Sequence, residues 1–401
     1  MNSQEISKPW VIKIDYESRL IMVIQTIIIG LYLRNASTIL TVFNSSYKNV
    51  IATIIKSLIL ISFLFALSAI INKITAKFIC TVFFLILGVL LHIFIFENNN
   101  SIFIQTVNTF FTTIFPGVIC VYFIDDYTRL YDKLVSCSLF ISVINIGVFF
   151  LLFLGYFSGD QTYSMGFSQA LVLPTNILLS KIFGSDRRPI FYLLSIINIL
   201  TILIFGSRGS IVAILFLLLI LILKSNDNNK KKIVFVMLVV FLTVPTVLFY
   251  SDLLNFLIKF LGKLGISSHS LAMMSQSGFF SNNGRLEIWS VIWKEICSHP
   301  FRVRGINADQ LMRTGYYQGS NYSHSLILEL LFSFGIIFGT IIIIFFIINF
   351  IKTILSNIKD KSNMVKLLFM SVFFPICIWS GTLWTNMYCW LWIAVKKDEI
   401  L

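Results

Sequence analysis

An all-α polytopic membrane protein is the fold class that this sequence predicts, and three observations carry the expectation. The 401 residues are 57% hydrophobic and only 12% charged, against roughly 25% charged in soluble domains. The mean hydropathy is +0.88. Apolar stretches of roughly 20 residues, the length a helix needs to cross a bilayer, recur along the whole chain. The alternating short segments of a membrane barrel are absent from it.

In chain order, about twelve such spans lie near residues 20–33, 50–71, 78–96, 102–124, 134–157, 165–180, 190–205, 210–223, 233–250, 325–350, 364–379 and 383–395. They divide the chain into three parts. Residues 1–250 hold nine spans, residues 251–324 form one large polar loop carrying amphipathic, interfacial helices, and residues 325–401 hold the last three spans. The polar start, Met1 to Arg19, lacks the order of a cleaved signal peptide, so the first span is expected to be a retained anchor. Pro116 and Pro174 fall inside spans and should kink them. Gly335 and Gly339 form a GxxxG inside the tenth span, read as a place of close helix packing.

Charge sets the orientation. The formal net charge is +13, but no basic soluble domain with interleaved aromatics is present to bind nucleic acid, and none is expected as a partner. With the N-terminus in the cytoplasm, the cytoplasmic segments hold 20 of the 31 basic residues, among them Lys73, Arg129, Lys181, Lys224, Lys361 and Lys396. The short loops on the opposite side hold Arg34, Lys48 and Arg208. Both termini are therefore expected in the cytoplasm and the large loop outside it. Of six cysteines only Cys297 lies in that loop, and no Cys/His cluster suggests a metal site.

Three constellations can carry chemistry. In GSRGS, Gly206 to Ser210, two spans meet and Arg208 starts a helix on the outer side. Free N–H groups and the helix dipole favour an anion there, and a guanidinium adds a bidentate donor. An arginine reaching lipid headgroups fits the same residues. In GRLEIWSVIWKEICSHPF, a helix is expected to run to about Ser298, with Arg285, Trp289, Ile292, Trp293 and Ile296 on one face at the membrane surface. Arg285 either holds an anion in the first turn or snorkels. In Tyr322-Ser323-His324-Ser325, the histidine stands where the loop re-enters the membrane, either as a general base or as an ordinary helix-start residue. Glu329, a turn and a half deeper, is a functional candidate or the ion-pair partner of an arginine. Arg302 and Arg304 can face anionic lipid, and Asp160 can contact a sugar.

In this order and topology, GSRGS, GRLEIW…HPF and YSHSLILELLFSFG resemble the O-antigen polymerase and ligase superfamily of bacterial cell envelopes. Ser325 stands where that family usually has asparagine, and Arg304 where its loop often has glycine. The resemblance implies a membrane glycosyltransferase acting on an oligosaccharide carried by undecaprenyl diphosphate, at the periplasmic face of the inner membrane. The implied partners are that lipid-linked substrate, the bilayer and a chain-length regulator protein. The scheme is inverting and arginine-based, with no cofactor or metal. Arg208 and Arg285 would neutralise the leaving diphosphate and His324 would take the acceptor proton. Arg304, Glu329, Trp289, Tyr322 and Asp160 would contact substrate. The form of GRLEIW and the aromatic tail SGTLWTNMYCWLW look more like a polymerase than a ligase, and a flippase is the third expectation.

Overall fold

The computed structural model describes residues 15–40, 46–154, 156, 164–184, 188–206, 208–224, 255–256, 258–259, 262–263, 285–311, 323–379 and 381–396. The architecture is helical throughout, with no strand among these residues. The helices are α1 (Tyr16–Leu40), α2 (Ser46–Ile71), α3 (Ala76–Ile95), α4 (Asn100–Thr109), α5 (Phe115–Phe123), α6 (Tyr127–Phe153), α7 (Met165–Phe183), α8 (Pro189–Phe205) and α9 (Arg208–Lys224). After a gap follow α10 (Arg285–Ser298), α11 (Leu326–Leu355), α12 (Lys361–Trp379) and α13 (Met387–Ala394). Among the described residues, seven helical segments are long and apolar enough to cross a membrane. The span expected near 233–250 lies outside the described residues; the others overlap helices, but the one near 102–124 is divided between α4 and α5, and the last, near 383–395, meets only the eight-residue α13.

The bundle is built around α7, which is buried along most of its length and touches α1, α6, α8, α9 and α12. A helix apolar on all sides belongs in such a position. Its polar residues and those of its neighbours are used between helices. Asn176 donates to Ser371 on α12 (2.9 Å), and Tyr131 on α6 shares a hydrogen bond with Ser180 (2.8 Å). Asn145 on α6 donates to Asn198 (2.9 Å) and Thr201 (3.1 Å) on α8, and Asn198 donates back to Ser142 (2.8 Å). Such bonds average about 0.6 kcal/mol in a bilayer, so the cluster fixes α6 on α8 where a single bond would not. Pro116 sits just after a π turn, Phe110–Ile114, that joins α4 to α5. In the widened turn Phe115 N–H donates to the Phe110 carbonyl, five residues back. α3 packs loosely and is exposed along nearly its whole length.

One end of the bundle gathers ion pairs. Lys73, just after α2, reaches Glu17 (2.8 Å), Asp125 (2.6 Å) and the Phe123 carbonyl (2.7 Å). Arg129 pairs with Asp15 (2.6 Å), Lys181 with Asp132 (3.4 Å) and Lys396 with Asp125 (3.3 Å). Lys181 and Lys361 both lie over the Tyr131 ring, and Lys224 at the end of α9 donates to the Ser356 carbonyl at the end of α11. These are residues that the charge count assigns to one side of the membrane. Because α9 ends here, its first residue, Arg208, stands at the opposite end, about 25 Å away along a 17-residue helix.

The tenth span is not one helix. At Gly335 the backbone turns to φ +73°, ψ 170°, which splits α11 into residues 326–334 and 336–355. A side chain at Gly335 would meet the Pro300 and Phe301 backbone at 3.2 Å, so both the angle and the space call for glycine. The break is tied to the preceding loop. Ile336 N–H donates to the Pro300 carbonyl (2.8 Å), and the Ser333 carbonyl accepts from the N–H groups of Arg304 and Gly305 (3.0 Å each). The GxxxG thus has two roles. Gly339 gives the expected close packing, since a Cβ there would lie 2.8 Å from the Leu330 carbonyl oxygen, while Gly335 redirects the chain. The longer piece, of 20 residues, still suffices for a span, and the shorter piece is left to carry Glu329.

Candidate active site

The site end is assembled from α10, the loop 299–311, the turn 323–325 and the first piece of α11. In α10, Ile288, Ile292 and Ile296 recur every four residues and are buried against Ala308 and Phe332, with Leu328, Leu331 and Ile336 around them. The buried face therefore includes Ile288 in place of Trp293, which is 50% exposed. The difference from the expected face arises because α10 packs on the 326–334 helix as well as presenting a surface outward. Trp289 does not lie free at that surface: its indole N–H donates to the Ser323 carbonyl (2.8 Å).

Arg304 joins the same parts. Its guanidinium donates to the Glu295 carboxylate (3.0 Å), to the Glu295 carbonyl (3.1 Å) and to the Arg302 carbonyl (3.2 Å), and it lies 4.5 Å above the Phe332 ring. That bond holds the Glu295 carboxyl below the usual carboxylate range. The observed contacts of Arg304 are thus within the protein, and they tie α10 to the loop and to the shorter piece of α11. The loop is in turn anchored on α3 and α4. Ile306 N–H donates to His92 Nε2 (2.8 Å), Asn307 donates to Thr106 (2.6 Å), and Asn99 donates to the Arg304 carbonyl (2.7 Å).

This scaffold holds the turn that bears His324. Ser323 N–H donates to Asp309 Oδ2 (2.8 Å) while its carbonyl accepts from Trp289. His324 follows in the left-handed region at φ +52°, a conformation that costs a residue with a side chain roughly 1–2 kcal/mol. Ser325 then caps α11, its hydroxyl accepting from Leu328 N–H (3.5 Å). Burial, reinforced by the positive charge of Arg285, lowers the His324 imidazole to about 4. The ring is neutral at physiological pH and can accept a proton. The same interaction places Arg285 close enough to His324 to act on it, at the start of α10.

Glu329 is 1% exposed and is held by the Thr382 hydroxyl and by Leu383 N–H (3.1 Å), both in the connection between α12 and α13. The expectation of an arginine partner is not what the structure shows: the carboxylate ties down a loop. Arg208 stands at this end of the bundle, on α9, where the chain has turned at Gly206. Tyr322 and Asp160 lie outside the described residues.

Beside the loop runs an apolar groove of about 380 Å³, walled by α3, by α4 and the π turn, and by residues 303–306. Phe84, Phe103, Phe110, Phe334, Trp384 and Trp390 line it, and Trp384 directly follows the residues that hold Glu329. Asp309, His92, Asn307 and Thr382 were not singled out from the sequence as site or scaffold residues. Each acts through a partner in another element of the fold, so no local pattern announces it; only Asn307 and Asp309 lie in a polar run, GINADQ, that sets them apart.

Residues 193–344 match a family model described as O-antigen ligase. The match runs from α8 into α11 and takes in Arg208, Arg285, Trp289, Arg304, Asp309, His324 and Glu329. No curated protein and no solved structure matches the chain. The segment that builds this site, and not the whole chain, is thus similar to the family described as O-antigen ligase.

Proposed function

We propose that the chain is a polymerase of surface polysaccharide, a glycosyltransferase that moves the growing glycan from undecaprenyl diphosphate onto the next lipid-linked repeat unit. The observation that carries this reading is the neutral His324, held on a strained turn beside Arg285, at the same end of the bundle as Arg208. A hydroxyl of the incoming unit attacks the anomeric carbon of the growing chain. The bond from that carbon to the diphosphate oxygen breaks, and the new glycosidic bond forms with inversion. His324 takes the hydroxyl proton. Arg208 and Arg285 neutralise the charge that develops on the leaving diphosphate. The apolar groove suits the prenyl tail of a lipid-linked substrate, since it opens beside the loop and not in the bundle core. The basic, ion-paired end is read as cytoplasmic and the site end as periplasmic, in the inner membrane.

A ligase that passes the finished polymer to lipid A-core would use the same residues. The polymerase reading is favoured by the GRLEIW motif and by the aromatic tail, whose Thr382 and Leu383 hold Glu329. Deletion of the gene, followed by a gel of the surface polysaccharide, separates the possibilities. Caps of a single repeat unit are expected. Polymer accumulating on the carrier while lipid A-core stays bare would mean a ligase, and loss of all outward lipid-linked units would mean a flippase.

A further inference from the structure

The residue that holds His324 in place lies outside the motifs that mark the site. Ser323, directly before the histidine, is fixed at both of its backbone polar groups. Its N–H is bound by Asp309 Oδ2 at 2.8 Å and its carbonyl by the Trp289 indole at 2.8 Å. With Ser323 fixed and Ser325 committed to capping α11, His324 is left in the left-handed region at φ +52°. Asp309 is itself rigid. It is 4% exposed, sits in a 3-10 turn (Ala308–Leu311), and follows Asn307, which is bound to Thr106 on α4. Among the described residues its second oxygen, Oδ1, has no hydrogen-bond partner, and no lysine or arginine pairs with it. Its surroundings therefore use it as a hydrogen-bond acceptor, with the Ser323 N–H as the partner from outside its own turn.

We propose that Asp309 is the positioning residue for His324: its carboxyl, set on the loop that docks onto α3 and α4, fixes the Ser323 amide and thereby aims the imidazole at the acceptor hydroxyl. This rests on the reading of His324 as the base. Burial raises the Asp309 carboxyl, in keeping with a site that tolerates a neutral group. An asparagine should therefore serve, because its amide oxygen can accept the same N–H.

The test uses full-length enzyme in detergent, with the lipid-linked repeat unit extracted from cells lacking this chain as substrate. Two readouts are taken on Asp309→Ala and Asp309→Asn: hydrogen exchange of the amides at 323–328, and kcat separated from KM. For the alanine variant, exchange at Ser323 should be at least about tenfold faster. Its kcat should fall by roughly 10- to 100-fold with KM nearly unchanged, the cost of a misplaced group. The asparagine variant should stay within about threefold of the parent on both readouts. Unchanged exchange in the alanine variant, faster exchange with full turnover, or an asparagine variant as impaired as the alanine would each overturn the proposal. His324→Gln, assayed alongside, tests the base itself. Full turnover there removes the base reading, while the exchange data still decide whether Asp309 holds the turn.

Discussion

At one end of the bundle Lys73 reaches two carboxylates and a carbonyl at once, Arg129 and Lys396 add pairs, and most of these side chains remain well exposed. At the other end Asp309 and Glu329 are 4% and 1% exposed, and neither is bound by a lysine or arginine among the described residues. The two ends use acid for different purposes. Exposed pairs are made by flexible side chains in water and define little geometry. The buried carboxyls each accept a backbone N–H from a distant segment, Ser323 for Asp309 and Leu383 for Glu329. They fix the course of the chain around His324. A membrane protein can accept such burial where precise placement matters more than stability.

The sharpest way to break the comparison is to ask whether the two ends face opposite sides of the membrane. A reporter active only outside the cytoplasm, fused after Gly278, should be active, and the same reporter fused after Asn228 should be silent. The reverse pattern would place the candidate site on the cytoplasmic side and remove the proposed chemistry.

Next in size is His324. General-base help is typically worth 10²- to 10⁴-fold, so His324→Ala should cost about that much turnover. Glutamine should not restore it, since an amide cannot take the proton. The pH profile adds a second test. With the imidazole lowered to about 4 in the free enzyme, kcat/KM should stay level from pH 8 to about pH 6 and fall only as pH approaches that value. Bound diphosphate favours the protonated ring, so the acid limb of kcat should lie higher than that of kcat/KM. An acid limb that survives in His324→Gln would mean that the histidine only orients the acceptor.

Arg208→Ala and Arg285→Ala should each lower turnover by roughly 10²- to 10³-fold while the protein still inserts, the usual cost of losing one donor to a developing anion. Lysine should rescue each only in part, because it lacks the bidentate fork. Full activity of either alanine variant would take that arginine out of the diphosphate clamp and leave it a role at the lipid surface.

How much of this could be read from the sequence follows the same division between local and distant. The spans were legible because twenty apolar residues carry their own signal, and so was the end of α10 at Ser298 before Pro300. Arg208 at a helix start and His324 just before Leu326 were legible from short motifs. The break at Gly335 was not, because the run on either side of it is equally apolar and the groups that receive its freed backbone, Pro300, Arg304 and Gly305, lie some 30 residues back. Trp289 was noticed as an interfacial aromatic, yet its bond to Ser323 spans 34 residues. Asp309 had no signal at all beyond being an acid in a loop.

The smallest effect belongs to the ion-paired end, and its smallness is the test. Lys73 is the best-connected residue there, with Glu17, Asp125 and the Phe123 carbonyl as partners, and its side chain is 28% exposed. Burial disfavours its charge, but the bonds to Asp125 and Glu17 outweigh that and raise its pKa. Asp125 in turn is held below the usual carboxylate range by Lys73. The sign for stability follows. The Asp125 contribution is present above its unfolded value of 3.8 and is lost only as pH falls through the lower folded value. Lys73→Met keeps the apolar stem and removes the ammonium. Exposed pairs are typically worth about 0–1 kcal/mol each, so stability in detergent should fall by no more than about 2 kcal/mol, and by less in high salt. Turnover at 25 °C should stay within about twofold, because fixing loops at this end does not move the far turn. A tenfold loss of kcat in Lys73→Met with the fold intact would show that the two ends are coupled, and that the contrast between them is only one of construction.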